Sequence, residues 1–212
     1  MSALIVIFCI LLFSAHTWLI FAHPFRIGQE KEDKSKDPLF TRNRMIFSFL
    51  YITVVLALNL YRRIWIELDF WHPQSFFERF LDFLPLPARS WTFLLGVFLF
   101  CIGFFIRLWA IKTLGRLFTF EIGIRKEHQI IDEGPYQWIR HPSYTGYLLV
   151  ILGMGFCYAS LFCIIGTFLP ALGFLILRIH AEEKMLMKYF EPAYVDYSHR
   201  TKKLIPFIFI LK

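Results

Sequence analysis

The sequence predicts an all-α integral membrane protein with about five transmembrane helices, the last two paired as a C-terminal helical hairpin. Three observations predict it. Of the 212 residues, 57% are hydrophobic and 26 are Phe, whereas a soluble domain runs closer to half apolar. The apolar residues gather into runs near the length that crosses a hydrocarbon core of roughly 30 Å. The basic residues gather between those runs.

Residues 2–22 carry no formal charge and are long enough to span. They lack the basic leader and small-residue cleavage site of a secretory signal, so they read as a retained helix. Met45 to Tyr61 is a second, shorter run. Trp91 to Ile111 is a third, with Arg107 near one end. Tyr144 to Ser160 and Leu161 to Ile179 are the fourth and fifth, joined almost without a loop.

Outside these spans, Lys and Arg number six in residues 23–44, four in 62–90, five in 112–143 and six in 180–212. Alternation with the N-terminus outside puts 62–90 outside and the other three segments inside, the positive-inside pattern. The net charge of +7 is then a matter of topology. Membrane lipids are the expected surroundings, and no nucleic acid is expected as a partner. Cys9, Cys101, Cys157 and Cys163 all fall in apolar runs, without a Cys-x-x-Cys or a His-rich segment. They read as core or lipid-facing residues rather than a disulfide frame or zinc site.

The chain divides into residues 1–111, the first three helices, and 112–212, the region with polar motifs. Within the first part, 28–38 (GQEKEDKSKDP) reads as a flexible cytosolic loop. In the interfacial segment 62–90, Phe76, Phe77, Phe80, Leu81 and Leu84 recur at helical spacing and meet a stop at Pro85 and Pro87. That pattern fits an amphipathic helix lying in the interface; Asp69, Trp71 and His72 read either as part of the same belt or as a functional trio. Residues 113–143 are too polar to span and too aromatic for an idle loop. Beyond Tyr189, the tyrosines 189, 194 and 197 predict a surface helix from about Pro192, then a stop at Pro206 and an apolar tail.

Two stretches could carry chemistry. In HQIIDEGPYQWIRHPSYTGY (128–147), Pro142 suits the first turn of a helix, and His141 then sits at an end where free N–H groups favour a carboxylate or phosphate. Gly134-Pro135 sets a turn, Gly146 permits close approach, and Tyr136, Trp138, Tyr144 and Tyr147 add flat amphipathic surfaces. The stretch reads either as one wall of a pocket for a flat polar cofactor or as a punctuated loop within an interfacial aromatic belt. In RIHAEE (178–183), Arg178 and Glu182 share a helix face, and Glu183 is one position round. They read either as a snorkelling Arg with solvated acids or as a site at the membrane boundary.

Taken in order, GPYQWIRHPSYTG, a hairpin, R-x-x-x-E-E, Y-x-x-Y and a Leu-Ile-Pro ending resemble the isoprenylcysteine carboxyl methyltransferases. The likeness extends to the endoplasmic-reticulum enzymes of eukaryotes and to shorter five-span prokaryotic relatives, and covers about residues 112–209. It implies S-adenosyl-L-methionine held in a cytosolic cofactor pocket between this segment and the last two spans. It implies cofactor contacts at His128, Gln129, Ile130 and Ile131, at Tyr136, at His141, Pro142, Ser143 and Tyr144, and at Glu182. Arg178 and Glu183 would be catalytic. A further cofactor contact that the resemblance implies upstream is commonly Gln in the family; this chain has Glu121 at the matching distance, a departure from the pattern. The resemblance also implies a lipophilic or prenylated acceptor entering from the bilayer. The compact five-span form points to a prokaryotic cytoplasmic (inner) membrane.

The residue types agree with that chemistry. A carboxylate acceptor is already ionised at neutral pH, so methyl transfer from a sulfonium needs orientation and a dry site rather than a base. Arg178 suits paired hydrogen bonds to such a carboxylate. Glu182 and Glu183 suit the cofactor's ammonium or the fixing of Arg178, and His141 suits the cofactor's carboxylate. A phospholipid or other amine methyltransferase would need an acid such as Glu183 as base. An NADPH-dependent sterol-type reductase shares a similar His-Pro-x-Tyr segment, but usually continues Gly-Asp where this chain has Thr145-Gly146-Tyr147. A non-enzymatic membrane scaffold is the remaining class, and would gain stability from neither ligand.

Overall fold

The computed structural model describes residues 7, 11, 14, 50–58, 60, 61, 90–118 and 129–204. The expectations for 28–38, for 62–90 apart from Ser90, and for the tail beyond Pro206 lie outside these residues. So do Glu121 and His128, and most of the first predicted span. Within the second predicted span, residues 50–58, 60 and 61 are helical.

Four helices follow. Helix α1 is Ser90–Leu114, α2 is Pro142–Cys157, α3 is Leu161–Phe190 and α4 is Ala193–Arg200. Trp91–Leu114 and Leu161–Phe190 are long and apolar enough to cross a membrane, while α2 is a shorter apolar helix of 16 residues. At 1.5 Å per residue α2 is about 24 Å long, short of a full hydrocarbon thickness. Helix α3 carries the predicted helix face of Arg178 and Glu182 and continues past the apolar run, which closes at Ile179, to Phe190. The reason is composition: AEEKMLMK consists of strong helix formers, and no proline or glycine follows until Pro192. Arg178, Glu182 and Glu183 therefore ride on one continuous helix. The surface helix expected from about Pro192 is α4.

The described residues pack as two compact units. The first draws on Phe47–Ile102 and Leu148–Leu172. Its buried residues include Ile52, Leu56, Val150, Ile151, Met154, Tyr158 and Cys163. Helices α1 and α2 approach backbone to backbone here: a Cβ added at Gly153 would lie 2.6 Å from both the Gly96 oxygen and the Phe100 nitrogen. The predicted hairpin is present, with Tyr158–Ser160 joining α2 to α3. Ala159 takes a left-handed φ of 50°, and the Ser160 hydroxyl accepts the Cys163 N–H at 3.2 Å, capping α3. Of the cysteines, Cys157 and Cys163 are buried and Cys101 is exposed.

The second unit draws on Gly103–Tyr147 and Gly173–Lys212. A Cβ added at Gly146 would lie 2.6 Å from the Gly103 oxygen and 2.8 Å from the Arg107 nitrogen, so the glycine is what lets α2 seat against Arg107. Gly134, at φ +56°, opens the short 3-10 turn Gly134–Gln137. The chain then runs extended beside residues 201–204. The Arg140 N–H donates to Lys202 O (2.7 Å), the His141 N–H to Lys203 O (3.1 Å) and the Lys202 N–H to Trp138 O (3.0 Å). This β-like pairing straps the segment after α4 to the start of α2.

Candidate active site

Pro142 opens α2, and its preceding residue His141 is buried. The His141 carbonyl accepts the N–H groups of Tyr144 (3.0 Å) and Thr145 (3.2 Å), which fixes the first turn. The His141 and Tyr144 rings then stack nearly parallel, with centroids 5.4 Å apart and planes 5° off. Thr145 is tied to the strap by its hydroxyl, which donates to Leu204 O.

Tyr144 is the hub. Its hydroxyl accepts from Arg178 Nε at 2.6 Å and donates to Glu182 Oε2 at 2.8 Å. The Arg178 guanidinium also lies 5.7 Å from the Tyr144 ring centroid. Arg178 and Glu182 are one helical turn apart, and the phenol bridges them from α2. With Arg178 only 7% exposed, its charge and the two bonds are shielded from water and correspondingly strong.

Glu183 belongs to a different cluster. At 100° per residue it turns away from Arg178. Its Oε1 accepts from Arg140 Nε at 2.6 Å and lies 3.4 Å from His141 Nε2, and its Oε2 lies 3.4 Å from Lys203 Nζ. The His141 contact has ion-pair distance without hydrogen-bond alignment. Arg140, at the same time, donates through its terminal nitrogen to Ser198 O (2.8 Å) and Thr201 O (2.6 Å). The expectation that both acids serve the cofactor or fix Arg178 therefore divides: Glu182 reaches Arg178 through Tyr144, and Glu183 joins Arg140, His141 and Lys203.

Arg107 is the residue the sequence reading left without a role, although a charge inside an apolar run is itself a signal. It is 4% exposed. One terminal nitrogen donates to Ser143 O and Ser143 Oγ, each at 3.1 Å, and the guanidinium lies 5.3 Å from the Tyr147 ring centroid. Its Nε has no hydrogen-bond partner, and no carboxylate pairs with it among the described residues. Arg178 bonds to Tyr144, the residue next to the Ser143 that Arg107 holds. Two buried guanidiniums thus face the Tyr144 region, a setting that favours an added anion.

Tyr136 borders this region from the 3-10 turn. Its hydroxyl donates to Ala110 O at 3.4 Å, and its carbonyl accepts from the Tyr197 hydroxyl at 2.8 Å. Burial pushes the phenols of Tyr136, Tyr194 and Tyr197 above their ordinary range, because the phenolate would lose its hydration. The structure thus brings together Tyr136, His141, Pro142, Ser143, Tyr144, Arg178, Glu182 and Glu183 in one unit. Gln129 is exposed and Ile130 and Ile131 are half-buried. No hydrogen bond or ion pair joins these three to the cluster among the described residues.

Comparison with known proteins gives a consistent result. The model of the isoprenylcysteine carboxyl methyltransferase (ICMT) family matches residues 94–188. Protein-S-isoprenylcysteine O-methyltransferase B of Arabidopsis thaliana is 35% identical over 129 residues, covering 59% of this chain and 66% of the relative. The Tribolium castaneum protein-S-isoprenylcysteine O-methyltransferase is 32% identical over 139 residues, covering 63% of this chain and 50% of the relative. The chain therefore spans between half and just under two thirds of the length of these curated relatives. A solved structure of the eukaryotic intramembrane Ras methyltransferase ICMT is similar in fold, with a TM-score of 0.56 at 21% identity, covering 94% of this chain and 63% of that one.

Proposed function

We propose that this chain, which matches the isoprenylcysteine carboxyl methyltransferase family over residues 94–188, is an integral membrane methyltransferase of that kind using S-adenosyl-L-methionine. The acceptor is the carboxylate of a small lipophilic molecule of the prenylcysteine type. The observation that carries this reading is the hydrogen-bonded chain Arg178 Nε–Tyr144 hydroxyl–Glu182 Oε2, with Arg107, which pairs with no carboxylate among the described residues, held at the adjacent Ser143.

The residues fit both reactants. S-Adenosylmethionine presents an ammonium and a carboxylate. Glu182, half-buried, suits the ammonium. His141, buried and stacked on Tyr144, suits the carboxylate, with Tyr136, Pro142, Ser143 and Tyr144 around them. Gln129, Ile130, Ile131, His128 and Glu121 complete the set that the family resemblance implies. When bound, the cofactor would supply a sulfonium methyl: a carboxylate oxygen would bond to that carbon in line as the carbon–sulfur bond breaks, with the neutral thioether as leaving group. Arg178 and Arg107 hold and orient the acceptor carboxylate, and their burial excludes the water that would weaken that hold. Tyr144 shares its hydroxyl between Arg178 and Glu182, so it keeps the acceptor-binding and cofactor-binding groups in register. The acceptor arrives already ionised, and no residue has to remove a proton from it.

An amine acceptor fits less well. It would need an acid free to take a proton, and Glu183 is engaged by Arg140, His141 and Lys203. The lipid-facing helices admit an apolar substrate sideways, and the polar cluster is read as facing the cytosol. Ligand-induced stabilisation of the detergent-purified protein tests the cofactor. S-Adenosylmethionine at 100 times its Kd should add about 2.7 kcal/mol, and NADPH should add nothing. Stabilisation by NADPH alone would overturn the reading.

A further inference from the structure

We propose that Glu183 is a positioning residue: it locks the 198–204 strap to the start of α2 and through that lock sets His141. The lock is read from contacts alone; its consequence for the cofactor rests on the methyltransferase reading above.

Glu183 is 4% exposed, yet it has no neighbour that could use it as a proton acceptor in the transfer. Its carboxylate is divided between the two chain segments it joins. From the α2 side it takes Arg140 Nε at 2.6 Å and faces His141 Nε2 at 3.4 Å. From the strap it faces Lys203 Nζ at 3.4 Å. Arg140 spends its terminal nitrogen on Ser198 O and Thr201 O, and the backbone pairs beside it at Lys202 and Lys203. One negative charge thus holds two cations, Arg140 and Lys203, that would otherwise repel each other in a buried place, and faces the His141 ring. Because His141 contributes both a backbone N–H to the strap and a ring next to Glu183, the lock fixes the ring's direction as well as its position.

The test uses the full chain in detergent and two readouts. The first is hydrogen exchange of the peptides covering 138–141 and 198–204, measured without ligand. Glu183→Gln keeps shape and removes charge; it should speed exchange of the paired amides by about tenfold or more. The second is steady-state methyl transfer to N-acetyl-S-farnesylcysteine. Glu183→Gln should raise the cofactor KM about tenfold while kcat and the acceptor KM stay within about twofold. In a His141→Ala background the same substitution should change the cofactor KM by less than about twofold, since the ring it positions is gone. Arg140→Lys keeps the charge but loses the fork that reaches Ser198 and Thr201. It should speed strap exchange as well, and serves if Glu183→Gln does not fold. Unchanged exchange in both variants overturns the lock. A fall in kcat with the cofactor KM unchanged overturns the positioning role and makes Glu183 a group acting in the chemistry. A wild-type chain that transfers no methyl sinks the functional reading, and the exchange arm still decides the lock.

Discussion

Tyr144→Phe removes one oxygen atom and leaves the rest of the hub in place. The ring can still stack on His141, where the planes are 5° apart, and still lies 5.7 Å from the Arg178 guanidinium. What disappears is the hydroxyl that accepts from Arg178 at 2.6 Å and donates to Glu182 at 2.8 Å. A hydrogen bond to a charged group contributes about 1.5–3 kcal/mol. Two such bonds are lost, but Arg178 and Glu182 sit one turn apart and can meet directly, which recovers part of the loss. Taking one bond as the net deficit, and tenfold per 1.4 kcal/mol, kcat/KM for the acceptor should fall about 10- to 100-fold. The assay is transfer of labelled methyl to N-acetyl-S-farnesylcysteine at saturating cofactor, with thermal unfolding as the control for fold. A variant within about twofold of wild type would show that the phenol does not order Arg178, and the carrying observation would lose its meaning.

Arg178→Ala should abolish most turnover while largely sparing cofactor binding, and His141→Ala should weaken cofactor binding; titration of S-adenosylmethionine into each variant separates the two. Arg107→Gln should raise the acceptor KM by about tenfold or more, with cofactor binding near wild type in the same titration. Gly146→Ala drives a methyl against Gly103 O and Arg107 N and should cost about 1–3 kcal/mol by overpacking. Gly173→Ala, where an added Cβ would meet no other side chain or helix within 4 Å among the described residues, should be neutral or stabilising by up to about 1 kcal/mol; paired melting curves compare them. Because burial raises the phenols of Tyr136, Tyr194 and Tyr197, folding favours their neutral forms. Their contribution is fully present below the unfolded pKa of about 10 and is lost as pH rises beyond it, so Tm should fall more steeply above about pH 10 than between pH 7 and 9.

Much of the architecture is written in local pattern. The apolar runs and Pro142 mark where α1 and α2 begin, and the hairpin at 158–160 follows from two runs with no room for a loop. The end of α3 is not marked by hydropathy, because polarity returns at Arg178 while helix propensity continues to Phe190. The resemblance supplied the residues of the site but not their partners. Glu182 and Glu183 look equivalent as a pair in the chain; only the 100° turn between them, and the position of Arg140, sends one to Tyr144 and the other to Lys203. The strap is invisible for the same reason. Its pairing of 138–141 with 202–203 joins residues sixty apart, and no period in the sequence records it. Arg107 was legible as a costly charge, but its role needs Ser143 and Tyr147 beside it.

In the proposed reaction Arg107 and Arg178 present a lipophilic carboxylate to a methyl donor. The most direct measurement is transfer of labelled methyl from S-adenosylmethionine, by the purified chain, into N-acetyl-S-farnesylcysteine and in parallel into a lipid extract, with the products identified. The expected product is a base-labile methyl ester that releases labelled methanol. Label found on a phospholipid amine, or no transfer to either acceptor, would contradict it.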